Sequence, residues 1–272
     1  MKKLLLTVAI LAAPLPALAD KLEDLKAQGF ARIAIANEPP FTAVAADGTV
    51  SGAAPDVARE IFKRLGVPEV VASISEYGAM IPGLQARRHD VITAGLFMKP
   101  ERCAAVAYSE PVLCDAEAFL LPKGNPKGFQ SYADIAADPE ATIGAPGGGT
   151  EEKLALEAGV PRDRVIVVPD GQSGLKMVQD GRIDVYSLPV LSISDLLAKA
   201  GDDSLEMVAP VVGAPVYCDG AAFNKDDTAL RDAFDVELAK MKESGEFAAI
   251  VEPYGFSAAA AMSTSRAALC GE

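Results

Sequence analysis

The chain is 272 residues long, with 38 acidic and 25 basic side chains, a net charge of −13 and a single histidine. So acidic a balance disfavours nucleic acid and anionic membrane surfaces as partners, since both repel it. One histidine, and four cysteines without a Cys-x-x-Cys pair, exclude the usual zinc donor sets, and neither a metal nor another cofactor is expected.

Residues 1–19 read as a secretory signal peptide. Lys2 and Lys3 form the charged end, Leu4 to Leu15 an apolar run broken by Thr7 and Pro14, and Ala17-Leu18-Ala19 the small-residue cleavage pattern. The run is too short to span a bilayer. No cysteine follows the cleavage point, so no lipid anchor is expected there, and the mature chain is expected in a periplasm from Asp20 onward. In an exported chain, Cys103, Cys114, Cys218 and Cys270 suggest disulfides. The mature length is near the limit for one core, so two lobes are expected.

Short β-rich runs then alternate with amphipathic helices, which argues for α/β lobes with mostly parallel sheets flanked by helices. Ile33 to Ala36 is the first strand. Pro55 to Leu65 is a helix with Val57, Ile61, Phe62 and Leu65 on one face and Gly66 to end it. Val70 to Ser75 and Val91 to Ala94 follow as buried strands. His89, in the polar turn Arg87-Arg88-His89-Asp90 between them, reads as solvated surface. The second half repeats the rhythm. Ala141 to Gly144 is a strand, Thr150 to Ala158 its first helix, Val165 to Val168 a strand, Ser173 to Gln179 a helix and Val185 to Ser187 a strand. Asp227 to Ser244 reads as a long surface helix.

One internal similarity organises these blocks. Pro111-Val-Leu-Cys-Asp-Ala-Glu-Ala-Phe119 matches Pro215-Val-Tyr-Cys-Asp-Gly-Ala-Ala-Phe223 at six of nine positions. We read them as two strands crossing between lobes. Residues 20–113 and 219–272 then form lobe one, and 114–218 lobe two. Cys114 and Cys218 would lie side by side and bond, leaving Cys103 and Cys270 as the other pair.

Candidate ligand residues sit at strand ends, where open α/β sheets bind. Glu38-Pro39-Pro40-Phe41 follows the first strand, and its prolines present Glu38 and Phe41 with little entropy to lose. Tyr77 follows the second strand and Phe97 the third, so three aromatic faces converge on one cleft and suit a desolvated cation. Gly147-Gly148-Gly149-Thr150 opens a helix. Gly149 allows close approach, Thr150 reads as an N-cap, and the helix start suits a small carboxylate. The segment has no Gly-Lys-Ser/Thr and is not a phosphate loop. Arg102 supplies the guanidinium that grips a carboxylate through two parallel hydrogen bonds. Glu101 beside it reads as facing solvent.

Several segments together resemble one family. They are Glu-Pro-Pro-Phe at 38–41, Gly-Ala-Ala-Pro-Asp-Val at 52–57, Met-Ile-Pro-Gly-Leu-Gln at 80–85, Gly-x-x-x-x-Pro-Glu-Arg at 95–102, Gly-Gly-Thr at 148–150 and Gly-Arg-Ile-Asp at 181–184. They resemble the polar amino-acid-type solute-binding proteins of ABC transporters. The resemblance implies a two-lobed type II periplasmic-binding fold joined by two hinge strands, a monomer, a small zwitterionic solute and an inner-membrane permease as partners. Amino-acid binders of that family place Ser or Thr two residues after the glycine, where this chain has Phe97, and Lys99 stands where Thr is common. They also carry an acid a few residues after Gly-Arg-x-Asp, whereas here none appears before Asp195. Both features that hold an α-ammonium are missing. Within the family the chain resembles the binders of ectoine and hydroxyectoine, compatible solutes with a carboxylate and a delocalised amidinium ring. That implies Glu38, Phe41, Tyr77, Phe97, Arg102 and Thr150 as ligand residues. The alternatives are another zwitterion, such as a polar amino acid or a betaine, and an enzyme resembling the cyclohexadienyl dehydratases on the same fold. An enzyme needs a poised acid or base, and only Glu38 qualifies, without a relay partner; no catalysis is expected.

Overall fold

The computed structural model describes residues 21–271, so the leader at 1–19 lies outside the described residues. Two five-stranded sheets carry the chain. In the first, the order is Glu69–Ile74, Phe30–Ile35, Val91–Ile92, Ala222–Phe223, Ala107–Tyr108. In the second it is Val165–Val168, Ile143–Pro146, Val185–Pro189, Glu117–Pro122, Leu205–Val208. Each sheet has a parallel core and one inverted strand. Ala222–Phe223 runs antiparallel to both neighbours, and so does Glu117–Pro122. The fold is the expected α/β type, with sheets mostly parallel in strand direction.

The inverted strand is, in both sheets, the one the chain enters directly after crossing the cleft. The crossings themselves are the short strands Cys114–Asp115 and Tyr217–Cys218, paired antiparallel with Cys218 opposite Cys114. The internal similarity therefore has a physical reason: each copy is a crossing residue pair followed by an inverted, buried strand. Disulfides join Cys114 to Cys218 and Cys103 to Cys270.

Helices close the faces of both sheets. Ala53–Arg64 buries Val57, Ile61 and Phe62, the stripe its periodicity marks. Thr228–Ser244 lays Leu230, Phe234, Leu238 and Met241 on the first sheet, with the Phe234 ring 6.0 Å from Phe62 and 5.4 Å from Phe223. Several helices escape a reading of periodicity, among them two for which the reason is visible. Tyr77–Gln85 contains Pro82 and two glycines, Gly78 and Gly83, and so reads as a turn. Val190–Ala200 follows its strand with no turn residue between.

Three expectations are corrected here. Val70 to Ser75 is not a buried strand: Glu69–Ile74 is the edge of the first sheet, with Val71 and Ile74 exposed. His89 is not solvated surface but 5% exposed. Its ring packs where a side chain at Gly83 would stand, 2.5 Å from that Cβ position, and Nε2 lies 2.9 Å from the Met80 carbonyl. The first helix of the second lobe is Tyr132–Ala137, with a Ser131–Asp134 capping box, ahead of Thr150–Glu157.

Because Cys114–Cys218 closes a sequence separation of 104 residues, replacing both by serine should lower the unfolding free energy by about 2–5 kcal/mol. Urea denaturation of the double variant, with the Cys103–Cys270 bond intact, measures it.

Candidate functional site

The first strand ends in a tight reciprocal turn. The Glu38 amide donates to Thr42 Oγ1 at 3.1 Å, and the Thr42 amide returns to the Glu38 carbonyl at 3.0 Å. With Pro39 and Pro40 between them, this fixes Glu38 and Phe41 toward the cleft. Gly95, at φ +74°, lies just beyond the strand Val91–Ile92, and a Cβ there would stand 2.8 Å from Phe41 Cδ1. The glycine of the Gly-x-x-x-x-Pro-Glu-Arg segment thus makes room for an aromatic ring. Phe41 packs edge-on against Phe97 at 6.0 Å and Phe256 at 4.7 Å. Phe97 stacks on Tyr217 at 5.6 Å with an 18° interplanar angle.

Arg102 leaves the short helix Pro100–Ala105 and bridges the cleft. It donates from Nη1 to the Phe97 carbonyl and from Nη2 to the Gly148 carbonyl, both at 2.9 Å. Thr150 is not the N-cap. Gly149 holds that position, and Thr150 is the first helical residue. Its hydroxyl, released from capping, is buried with no partner. An unpartnered buried hydroxyl costs free energy that a ligand oxygen would recover.

Glu38 is met from both lobes. Ser192 Oγ, on Val190–Ala200, donates to Oε1 at 2.8 Å, and Tyr77 Oη lies 3.2 Å from Oε2 and 3.0 Å from the Ala94 carbonyl. One hydroxyl proton cannot serve both acceptors. A protonated Glu38 resolves this by donating to Tyr77, which then donates to Ala94. Burial, and then the field of Glu151, push the Glu38 carboxyl up to about 8, in keeping with that arrangement. Glu151 is itself raised by burial, against the pull of Arg102 and Lys99.

Glu38, Phe41, Tyr77, Phe97, Arg102, Gly149 and Thr150 all line one cavity of about 240 Å³, completed by Gly95, Glu151 and Pro189. Beyond Glu38 and Tyr77 a wider groove of about 440 Å³ runs between Ser75–Glu76 and Val167–Gly171. Sequence reasoning misses Glu151 and Ser192, the latter with no local signal. It also misses the partner of Glu101, which is exposed but pairs across the cleft with Lys153. Tyr217 has a usable signal: it is the aromatic exception at a position where the other repeat carries Leu113.

Comparisons with known proteins agree in direction. The sequence profile of the bacterial extracellular solute-binding proteins, family 3, matches residues 31–257. A probable amino-acid ABC transporter periplasmic-binding protein of Sinorhizobium fredii is 35% identical over 243 residues, 86% of this chain and 80% of that one. Among solved structures, EhuB in complex with hydroxyectoine is 83% identical with a TM-score of 0.92, over 92% of this chain and 98% of the other. An ancestral amino acid-binding protein, a precursor of cyclohexadienyl dehydratase, is 24% identical with a TM-score of 0.75, over 86% and 99% of the two chains, a likeness of fold alone.

At one point the two lobes meet backbone on backbone, the Gly78 amide donating to the Gly147 carbonyl at 3.2 Å. Gly148 has φ +73°, and a Cβ on it would lie 2.4 Å from Gly78 Cα, a clash that no rotamer relieves. Gly148→Ala is therefore expected to block full closure and weaken ligand binding at least a hundredfold. Small-angle scattering should find the variant open with saturating ligand, at a thermal midpoint near that of the ligand-free parent.

Proposed function

We propose, for a chain that belongs to the bacterial extracellular solute-binding proteins of family 3, that its cleft captures ectoine or hydroxyectoine and hands it to a membrane permease. The chain is the solute-binding component of an ABC importer, a binder and not an enzyme. The ligand is our reading, as are a periplasmic location, the leader at 1–19, a monomeric state and the division into lobes 20–113 with 219–272, and 114–218.

One observation carries the ligand assignment. A single cavity joins a guanidinium, an unpartnered hydroxyl, two carboxyls (Glu38 and Glu151) and three aromatic rings. Arg102 and Thr150 come from opposite lobes and suit one carboxylate. Glu38 and the rings suit a flat, delocalised cation, each ring contributing about 0.5–2 kcal/mol. Phe97 stands where an α-ammonium would need a hydroxyl. The similarity to a protein solved with hydroxyectoine supports the same reading. Closure follows from differential contact: a ligand held by both lobes binds the closed state more tightly than the open one.

Burying an ammonium without partners costs several kcal/mol. Ectoine should therefore bind about a hundredfold or more tighter than glutamine, histidine or any other standard α-amino acid in titration calorimetry. Equal affinity for an amino acid would refute the assignment. Arg102→Ala should cost about 3–5 kcal/mol by stranding a desolvated carboxylate. Thr150→Ala should cost about 1–2 kcal/mol, because neighbouring amides remain.

The raised Glu38 carboxyl also fixes a pH dependence. The empty closed cleft favours the protonated acid, so Glu38's contribution to that state is complete below the ordinary carboxylate range and is lost as pH rises through about 8. A bound cation favours the ionised acid and expels the proton. Affinity should therefore rise with pH, by up to about tenfold per unit, and level off near 8. Calorimetry in buffers of different ionisation heat should register proton release below that pH. Glu38→Gln should bind more weakly and without the pH slope.

A further inference from the structure

We propose that Tyr217, on the strand that returns the chain to the first lobe, is the positioning residue for Phe97, and that it ties the aromatic wall of the cavity to the hinge. The inference rests on the cavity taking a delocalised cation, and it adds how the face that meets the cation is held.

Phe97 has two ring neighbours of different kinds. Phe41 meets it edge-on at 6.0 Å, while Tyr217 lies nearly parallel to it at 5.6 Å and 18°. An edge contact leaves a ring free to tilt about that edge; a stacked face does not. The centroid separation lies inside the 4.5–7 Å range in which offset stacking is favourable. The backbone follows the same path. Phe97 bridges to Asp219, and the Met98 amide donates to the Cys218 carbonyl at 2.9 Å. The segment carrying Phe97 is thus zipped to the return strand. That strand is paired in turn with the outgoing one, Tyr217 opposite Asp115, and bonded to it through Cys114–Cys218.

Tyr217 reaches the other half of the site as well. Lys99 Nζ lies 4.9 Å from its ring centroid, within the roughly 6 Å over which a cation is held by an aromatic face. Lys99 is the N-cap of the helix that carries Arg102. One hinge ring therefore touches the aromatic wall and the start of the guanidinium-bearing helix.

The ring and not the hydroxyl makes these contacts, which sets the test. Calorimetry with ectoine compares wild type, Tyr217→Leu, Tyr217→Phe, Phe97→Leu and the double variant Tyr217→Leu/Phe97→Leu. Tyr217→Leu should weaken binding about three- to tenfold, and Tyr217→Phe should restore it. In the Phe97→Leu background, Tyr217→Leu should cost nothing further. Additive losses, or an unchanged Tyr217→Leu, would overturn the proposal. NMR of the ligand-free protein with labelled phenylalanine separates this from the ligand reading. A ring-current shift on Phe97 that survives Tyr217→Phe and vanishes in Tyr217→Leu supports the stack even if ectoine does not bind to wild type. A Phe97 signal indifferent to both variants refutes it.

Discussion

Two residues facing two residues hold this molecule together across its cleft: Tyr217 opposite Asp115, and Cys218 opposite Cys114. A ribbon this short can bend through small dihedral changes, while the disulfide forbids sliding. Both lobes hang from it by hydrogen bonds that use the aspartate after each cysteine. Asp219 accepts from the Leu113 amide at 2.7 Å, and Asp115 accepts from the Leu191 amide at 2.9 Å. Burial raises both carboxyls, Asp115 to about 6 and Asp219 to about 7. The repeated Cys-Asp pair is therefore a hinge device, one covalent tie and two carboxyl clamps, and the similar flanks follow from entering an inverted strand each time.

The same crossing explains the electrostatics of the closed cleft. Glu38 from one lobe, Glu151 and Glu117 from the other, and Asp115 in the hinge are brought within one another's fields, and all four are raised. Glu117 is fully buried with neither oxygen partnered. Against these acids stand Arg102 and the buried Lys99, whose own ammonium is lowered by desolvation and then by Arg102. An anion alone would add to the acidic excess, and a simple cation would leave Arg102 and Thr150 unanswered. A zwitterion meets both demands at once. This is why the interlobe contacts of the site, Ser192 to Glu38 and Arg102 to Gly148, read as partners that a ligand replaces or shares.

The sequence is most legible where the backbone is punctuated. In an open sheet the carboxyl ends of parallel strands face the cleft, and Pro39-Pro40, Gly95 and Gly147 to Gly149 mark those ends. Seven cavity residues can therefore be named from position and side-chain type. What escapes depends on distant partners. His89 is buried only because Gly83 leaves a hole for its ring. Thr150 loses the cap to Gly149 because the helix begins one residue earlier than the composition suggests. Ser192 reaches Glu38 from a helix that follows Pro189 directly, with no polar turn to announce it. Tyr77–Gln85 is hidden by its own proline and glycines, although that helix starts at the residue whose hydroxyl meets Glu38.

Exchanging a hydroxyl for a phenyl ring at position 97 changes what must be built around it. A serine or threonine there would orient through its own hydrogen bonds. A phenylalanine has none, and a cation–π contact falls off once the cation leaves the ring face. The ring must therefore be fixed by shape alone, from at least two directions. Phe41 supplies one, admitted by the missing side chain at Gly95, and Tyr217 supplies the other from the hinge. If the cavity takes the proposed delocalised cation, specificity for it is distributed over Gly95, Phe41, Phe97 and Tyr217. Restoring a hydroxyl at position 97 alone would leave a void between Phe41 and Tyr217.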